Sequence, residues 1–189
     1  MSNHKVIEEA CNAIGNDRLA VAKEIIGTKY PFSPLSNAGR QYSEYQKTKI
    51  FHRDGFIDRY SGDKMVFPPV LRILSNMMPE EFPYHKHWKM SECHLGYWQL
   101  LPAVDHIIPV SRGGADKESN WVCTSQLRNS AKSNWLLEEL GWQLHKSGNL
   151  SEWDGLVSWF MAYTIANPKI LQDSYIHSWH RAASRAIET

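Results

Sequence analysis

Val104 to Trp135 reads VDHIIPVSRGGADKESNWVCTSQLRNSAKSNW, and its punctuation decides the fold. An apolar run ends in an acid–imidazole pair, Asp105-His106. Pro109 and then Gly113-Gly114 break the chain into a loop, since proline fixes φ and glycine opens turn conformations closed to other residues. Asn120 precedes a β-type run, Trp121-Val122-Cys123-Thr124. A polar, helix-like segment follows and carries Asn129, Lys132 and Asn134. Strand, loop, strand and helix form a compact unit that can hold a few side chains over one point.

The residue types in that unit suit metal-assisted hydrolysis. A carboxylate and an amide oxygen are hard donors. They fit Mg²⁺, which takes one or two protein ligands and fills its other positions with water and substrate phosphate. Asp105 offers the carboxylate and Asn129 the amide oxygen; Asn134, about one turn further along the same helix, could share that work. A neutral imidazole at His106 is a fitting general base for water attacking a phosphodiester. Each residue alone has a plainer reading. Asp-His pairs are usually surface hydrogen bonds, Asn120 is an ordinary turn residue, Asn129 fits a solvated helix face, and lysines such as Lys132 are mostly exposed. The order and spacing of the whole set favour the chemical reading.

As a set these residues resemble the HNH (ββα-metal) endonucleases. The pattern there is an acid-His pair ending one strand, a Gly-Gly loop, an Asn before the second strand, and an Asn or His plus a Lys on the helix. The resemblance implies an α+β fold, with a ββα-metal core built on a short antiparallel hairpin and mainly helical N- and C-terminal additions. It makes His106 the base and Asp105 and Asn129 the metal ligands. Asn120 becomes the residue that pins the loop carrying His106, and Lys132 a phosphate contact. Arg112 and Arg128 would clamp backbone phosphates, with Lys47, Lys49, Arg53 and Arg59 extending the patch. The implied cofactor is Mg²⁺ or Mn²⁺, and the products would carry 5′-phosphate and 3′-hydroxyl ends.

Ile50 to Gly62, IFHRDGFIDRYSG, looks like the opening of many HNH proteins, where an Arg-Asp-Gly turn leads into a zinc knuckle. The four cysteine positions of that knuckle fall here on Asp58, Ser61, Ser125 and Arg128. Ser and Arg are not structural zinc ligands. A zinc-free variant is expected, its knuckle replaced by packing.

Composition bounds the rest. The 189 residues are 42% hydrophobic, enough for one ordinary domain or a small core with an appended part. Eight Trp predict a Trp-built core or partner surface. The net charge of +1 excludes a broadly basic surface, so any nucleic-acid face must be a local patch. Cys11, Cys93 and Cys123 make neither a disulfide framework nor a four-Cys zinc site, which points to a reducing cytoplasm. No signal peptide or membrane span is read.

In chain order, residues 4–27 predict two helices broken at Gly15-Asn16-Asp17, with Asp17 as a cap and apolar stripes Val6, Ile7, Ala10, Ile14 and Leu19, Ala22, Ile25, Ile26. Residues 28–41 predict a linker and 42–53 a helix. Met65-Val66-Phe67 reads as a strand stopped by Pro68-Pro69, followed by a helix through Met77. His85, His87, Cys93 and His94 offer a zinc cluster. Zinc-finger spacing is absent, so an aromatic loop near the cleft, with Lys86 and Lys89 meeting phosphate, is preferred. Leu136 to Leu144 continue the motif helix or its exit. Ser151 is the expected cap of a helix reaching Pro168, and a last helix spans about Ser174 to Ile187. The division is 1–41 helical, 42–145 nuclease core with an insertion at 63–103, and 146–189 C-terminal helices packing on that core.

The expected function is a metal-dependent endonuclease acting on double-stranded DNA, as a restriction or phage or defence enzyme, with a homodimer for a palindromic site. The alternative is a catalytically silent nucleic-acid-binding module of the same fold. A third reading is a structural or interaction domain built on Trp-rich helices, which would not shift DNA at low salt.

Overall fold

The structure, a computed structural model, describes residues 2–32, 34 and 41–187. The chain divides into two compact units, Met1–Asn37 and Ala38–Thr189.

The first unit is a helical hairpin, α1 (Asn3–Gly15) and α2 (Leu19–Lys29). Val6, Ala10 and Ala13 fall one turn apart and pack with Ala22 and Ile25. Three residues expected in the buried stripes, Ile7, Ile14 and Leu19, stay exposed. Asp17 is not the cap: Arg18 takes that position, and Asp17 turns the chain at φ 57°. The linker expected over 28–41 begins later, after Lys29, and most of it lies outside the described residues.

The second unit mixes helices with one two-stranded antiparallel hairpin. Its helices are α3 (Glu44–Arg53), α4 (Pro68–Met77), α5 (Gly96–Gln99), α6 (Gln126–Lys132), α7 (Leu137–Leu140), α8 (Val157–Ala166) and α9 (Ser174–Ile187). The strands are β1 (Pro102–His106) and β2 (Trp121–Ser125). Ser43 and Gln46 close a reciprocal capping box that fixes the start of α3. Met65 to Phe67 is extended but joins no ladder; only an isolated bridge, Ile57 to Lys64, precedes it. Pro68-Pro69 opens α4 rather than merely ending a strand, because a helix's first N–H groups need no partner. Ser151 does not start a helix. Asp154 does that work, accepting from the backbone N–H groups of Leu156 at 2.9 Å and Ser158 at 2.8 Å.

A main core joins most of these elements, and a smaller cluster of Tyr60, Val122 and Leu137 seats α7. Phe51 of α3, Phe67 before α4, Cys123 of β2, Phe160 of α8 and Trp179 of α9 are all buried in the main core. Trp179 and Trp121 serve the interior, while Trp135 and Trp159 are exposed. Among the described residues no helix is long and apolar enough to cross a membrane.

The hairpin pairs Pro102 with Ser125 through His106 with Trp121. Flanking bonds from Gln126 N–H to the Leu101 carbonyl and from Ile107 N–H to the Asn120 carbonyl set the alternation. Residues 121, 123 and 125 therefore turn their backbone groups away from β1. An unpaired strand edge is costly when buried. Here the turn after α3 satisfies it. Cys123 N–H donates to Asp54 Oδ2 at 2.8 Å, and Ser125 N–H to Asp58 Oδ2 at 2.9 Å. Arg59 N–H donates to the Cys123 carbonyl at 2.9 Å, and Arg53 Nη2 to the Trp121 carbonyl at 2.6 Å. Two of the four knuckle positions thus meet directly, through a carboxylate and a backbone amide. Hydrogen bonding to buried acids, rather than apolar packing alone, holds the turn to the hairpin. Arg53 and Arg59 also flank Asp54 at 2.9 and 3.0 Å.

Candidate active site

The loop from Ile107 to Asn120 is held by one side chain. Asn120 Oδ1 accepts from Ile108 N–H at 3.0 Å, while Nδ2 donates to the carbonyls of Ile108 at 2.8 Å and Ala115 at 2.9 Å. The buried carboxamide thus ties both arms of the loop together. Gly114 is needed for that latch: a Cβ there would overlap the Ile108 carbonyl and lie 2.9 Å from Asn120 Nδ2. Gly113 turns the chain at φ 90°, in the left-handed region.

His106 ends β1 with its side chain 8% exposed. Its Nε2 lies 2.8 Å from Asp116 Oδ1. Trp121 Nε1–H and Tyr42 O–H reach the same carboxylate oxygen, at 3.0 and 3.1 Å. A carboxylate only accepts and an indole N–H only donates. Trp121 Nε1–H also lies 3.1 Å from His106 Nε2, but the shorter contact to an ionised Asp116 needs a proton between the two atoms, so Nε2 is assigned as the donor and Nδ1 carries the lone pair. The Asp116 carboxyl is held below the usual carboxylate range, first by its hydrogen bond with His106 and then by those from Trp121 and Tyr42. A depressed pKa gives stability that is present above the ordinary carboxylate value near 3.8 and lost as pH falls through the lower folded value. Asp116→Asn is expected to remove this contribution. Urea midpoints compared at pH 5 and pH 3 should then change less than in the parent protein; equal acid dependence would count against it.

Asp105 engages other partners. Its Oδ2 accepts from Tyr60 O–H at 2.7 Å and pairs with Lys132 Nζ at 2.9 Å. Lys132 is fully buried and also donates to the His106 carbonyl at 2.7 Å. This corrects the expected phosphate contact: Lys132 would have to leave two buried partners to reach a phosphate. Burial and the neighbouring Asp105 carboxylate push the Tyr60 hydroxyl far above its ordinary pKa, so it stays a donor. Asp105 and His106, adjacent on a strand, have no shared side-chain partner among the described residues.

Asn129 lies three residues before Lys132 on α6, hence on the same helix face. It is half-buried, and its carboxamide makes no hydrogen bond among the described residues. Asn134 Oδ1 instead accepts from Ser111 Oγ at 2.8 Å, which ties it to the loop. Arg112 pairs with Glu139 at 2.9 Å, and the Arg128 guanidinium sits 5.1 Å from the Trp142 ring centre. Among the described residues no three His, Cys, Asp or Glu side chains are grouped to hold a metal. In the insertion, Cys93 is buried and His94 stacks on Phe82 at 4.2 Å.

Sequence reasoning missed Tyr42, Tyr60 and Asp116. Asp116 carried a signal, as an acid two residues beyond Gly114 in the loop that bends back over His106. Tyr42 and Tyr60 carried none, being brought in from 64 and 45 residues away. No family model, curated protein or solved structure matches this chain, so a functional assignment rests on the site itself.

Proposed function

We propose that this chain is a metal-dependent endonuclease that hydrolyses phosphodiester bonds of DNA, with an HNH-type ββα site centred on His106. The observation that carries the reading is the Asn120 latch, which holds the loop between β1 and β2 and so presents His106 at the end of β1. The donor chemistry supports the metal reading. Asp105 keeps Oδ1 clear of its bonds to Lys132 and Tyr60, and Asn129 keeps an uncommitted amide oxygen. One carboxylate and one amide oxygen suit Mg²⁺, which retains waters and takes substrate phosphate.

Asp105 and Asn129 would hold the ion, which when bound stabilises negative charge on the phosphate and the leaving oxygen. His106 takes the proton of the attacking water at Nδ1. Asp116 keeps Nε2 protonated and fixes the ring. Tyr60 and Lys132 hold Oδ2 and so orient the carboxylate.

The test is His106→Ala. Cleavage of a defined end-labelled duplex should fall by about 10²–10⁴-fold, the usual contribution of a general base, while a gel shift persists. Near-normal cleavage would remove His106 from that role. Asp105→Ala should raise the divalent-ion concentration needed for cleavage; an unchanged titration would count against it. Discrete plasmid fragments would favour a restriction role and a smear a nonspecific one.

The Lys132 ammonium on Asp105 favours a second reading, a nucleic-acid-binding module of the same fold without hydrolysis. That protein would shift DNA yet cut it with no divalent ion.

A further inference from the structure

A pocket of about 320 Å³ lies alongside β1. Its size is at the small end of ligand sites, about 300–1,000 Å³, and suits a nucleoside better than an extended chain. Tyr42, Trp88, Tyr175 and Trp179 contribute aromatic walls. Val104 also lines it, and by the alternation of the ladder its backbone N–H and carbonyl turn away from β2.

Three features mark the pocket as more than an accident of packing. Trp88 stands at φ 52°, a conformation uncommon for a bulky residue, which fixes where its ring meets the pocket. Trp179 is 4% exposed, so its ring is a fixed wall packed into the core rather than a mobile surface group. Lys47, also on the lining, places Nζ 5.9 Å from the Trp179 ring centre, adding a cation beside the aromatic wall.

His106 is not on the lining, but one lining side chain reaches its ring. Tyr42 lines the pocket, and its hydroxyl lies 3.4 Å from His106 Nε2. We propose that this pocket binds one unstacked nucleobase of the strand being cut, and so places the attached phosphodiester beside His106. Aromatic faces stack on any base, the outward backbone groups of Val104 can meet a base edge, and Lys47 can meet the phosphate. The proposal rests on the nuclease reading for its substrate, a nucleic-acid strand.

The test uses the full chain in EDTA, so that nothing is cut. Anisotropy of a fluorescein-labelled short single strand gives the affinity, and a matched set carries one abasic nucleotide at each position in turn. One abasic position should weaken binding about tenfold, the scale of a lost stacking contact. Trp88→Ala should lose about the same with the intact strand and nothing further with that abasic strand. Trp88→Phe, which keeps an aromatic face, should bind within about twofold of the parent. Uniform binding across the abasic set would overturn the proposal, as would a Trp88→Ala loss equal on every strand. Cleavage in Mg²⁺ is scored separately. A position-dependent abasic effect without any cleavage would retire the hydrolysis reading and retain the base pocket. No binding of nucleic acid would end both.

Discussion

Asp58→Ala is expected to destabilise the protein by about 3 kcal/mol. The carboxylate is buried and accepts from Tyr60 N–H, Thr124 Oγ1–H and Ser125 N–H, each at 2.9 Å. Alanine leaves three donors without an acceptor, at about 1–3 kcal/mol each when buried. Relief from burying a charge offsets part of that sum. For a unit of this size the loss corresponds to a Tm roughly 6–12 °C lower. Amide exchange at Ser125 should accelerate most, because its N–H loses its only acceptor. Asp58→Asn keeps one acceptor oxygen and should lose less. A Tm within about 2 °C of the parent would show that the turn holds to β2 without this carboxylate.

Lys132→Ala should cost about 3–5 kcal/mol, the usual effect of removing one partner of a buried ion pair. The ammonium is fully buried and its Nζ touches both Asp105 and the His106 carbonyl. Lys132→Met, which keeps the apolar stem, should lose less than Lys132→Ala. Combining Lys132→Met with Asp105→Asn should recover part of the loss, giving a coupling of about 0.5–3 kcal/mol in urea denaturation. Strictly additive losses would mean that the two groups are neighbours without energetic linkage.

The parts of this fold that were legible in sequence are those written in local chemistry. Asn120, Gly113 and Gly114 announced a loop between two strands, and the structure places all three in its latch or its turn. Ser125, expected only as a lost cysteine position, caps α6 by accepting from Arg128 N–H at 3.1 Å. Long-range partners were not legible. Nothing local marks Asp58 as the acceptor for a residue 67 positions later. Nor does anything local commit Lys132 to the interior, since a lysine on a short polar helix is normally solvated. The start of α8 lies beyond the cap chemistry of Ser151: Leu156 holds the cap position, and Asp154, two residues before it, accepts from the first backbone N–H groups.

Hydrolysis at His106 is tested most directly by incubating supercoiled plasmid with the purified protein in Mg²⁺, in Mn²⁺ and in EDTA. The expected result is relaxed or linear DNA with either ion, intact supercoils in EDTA, and intact supercoils throughout for His106→Ala. Plasmid that is retarded by the parent protein yet stays supercoiled with both ions would contradict it.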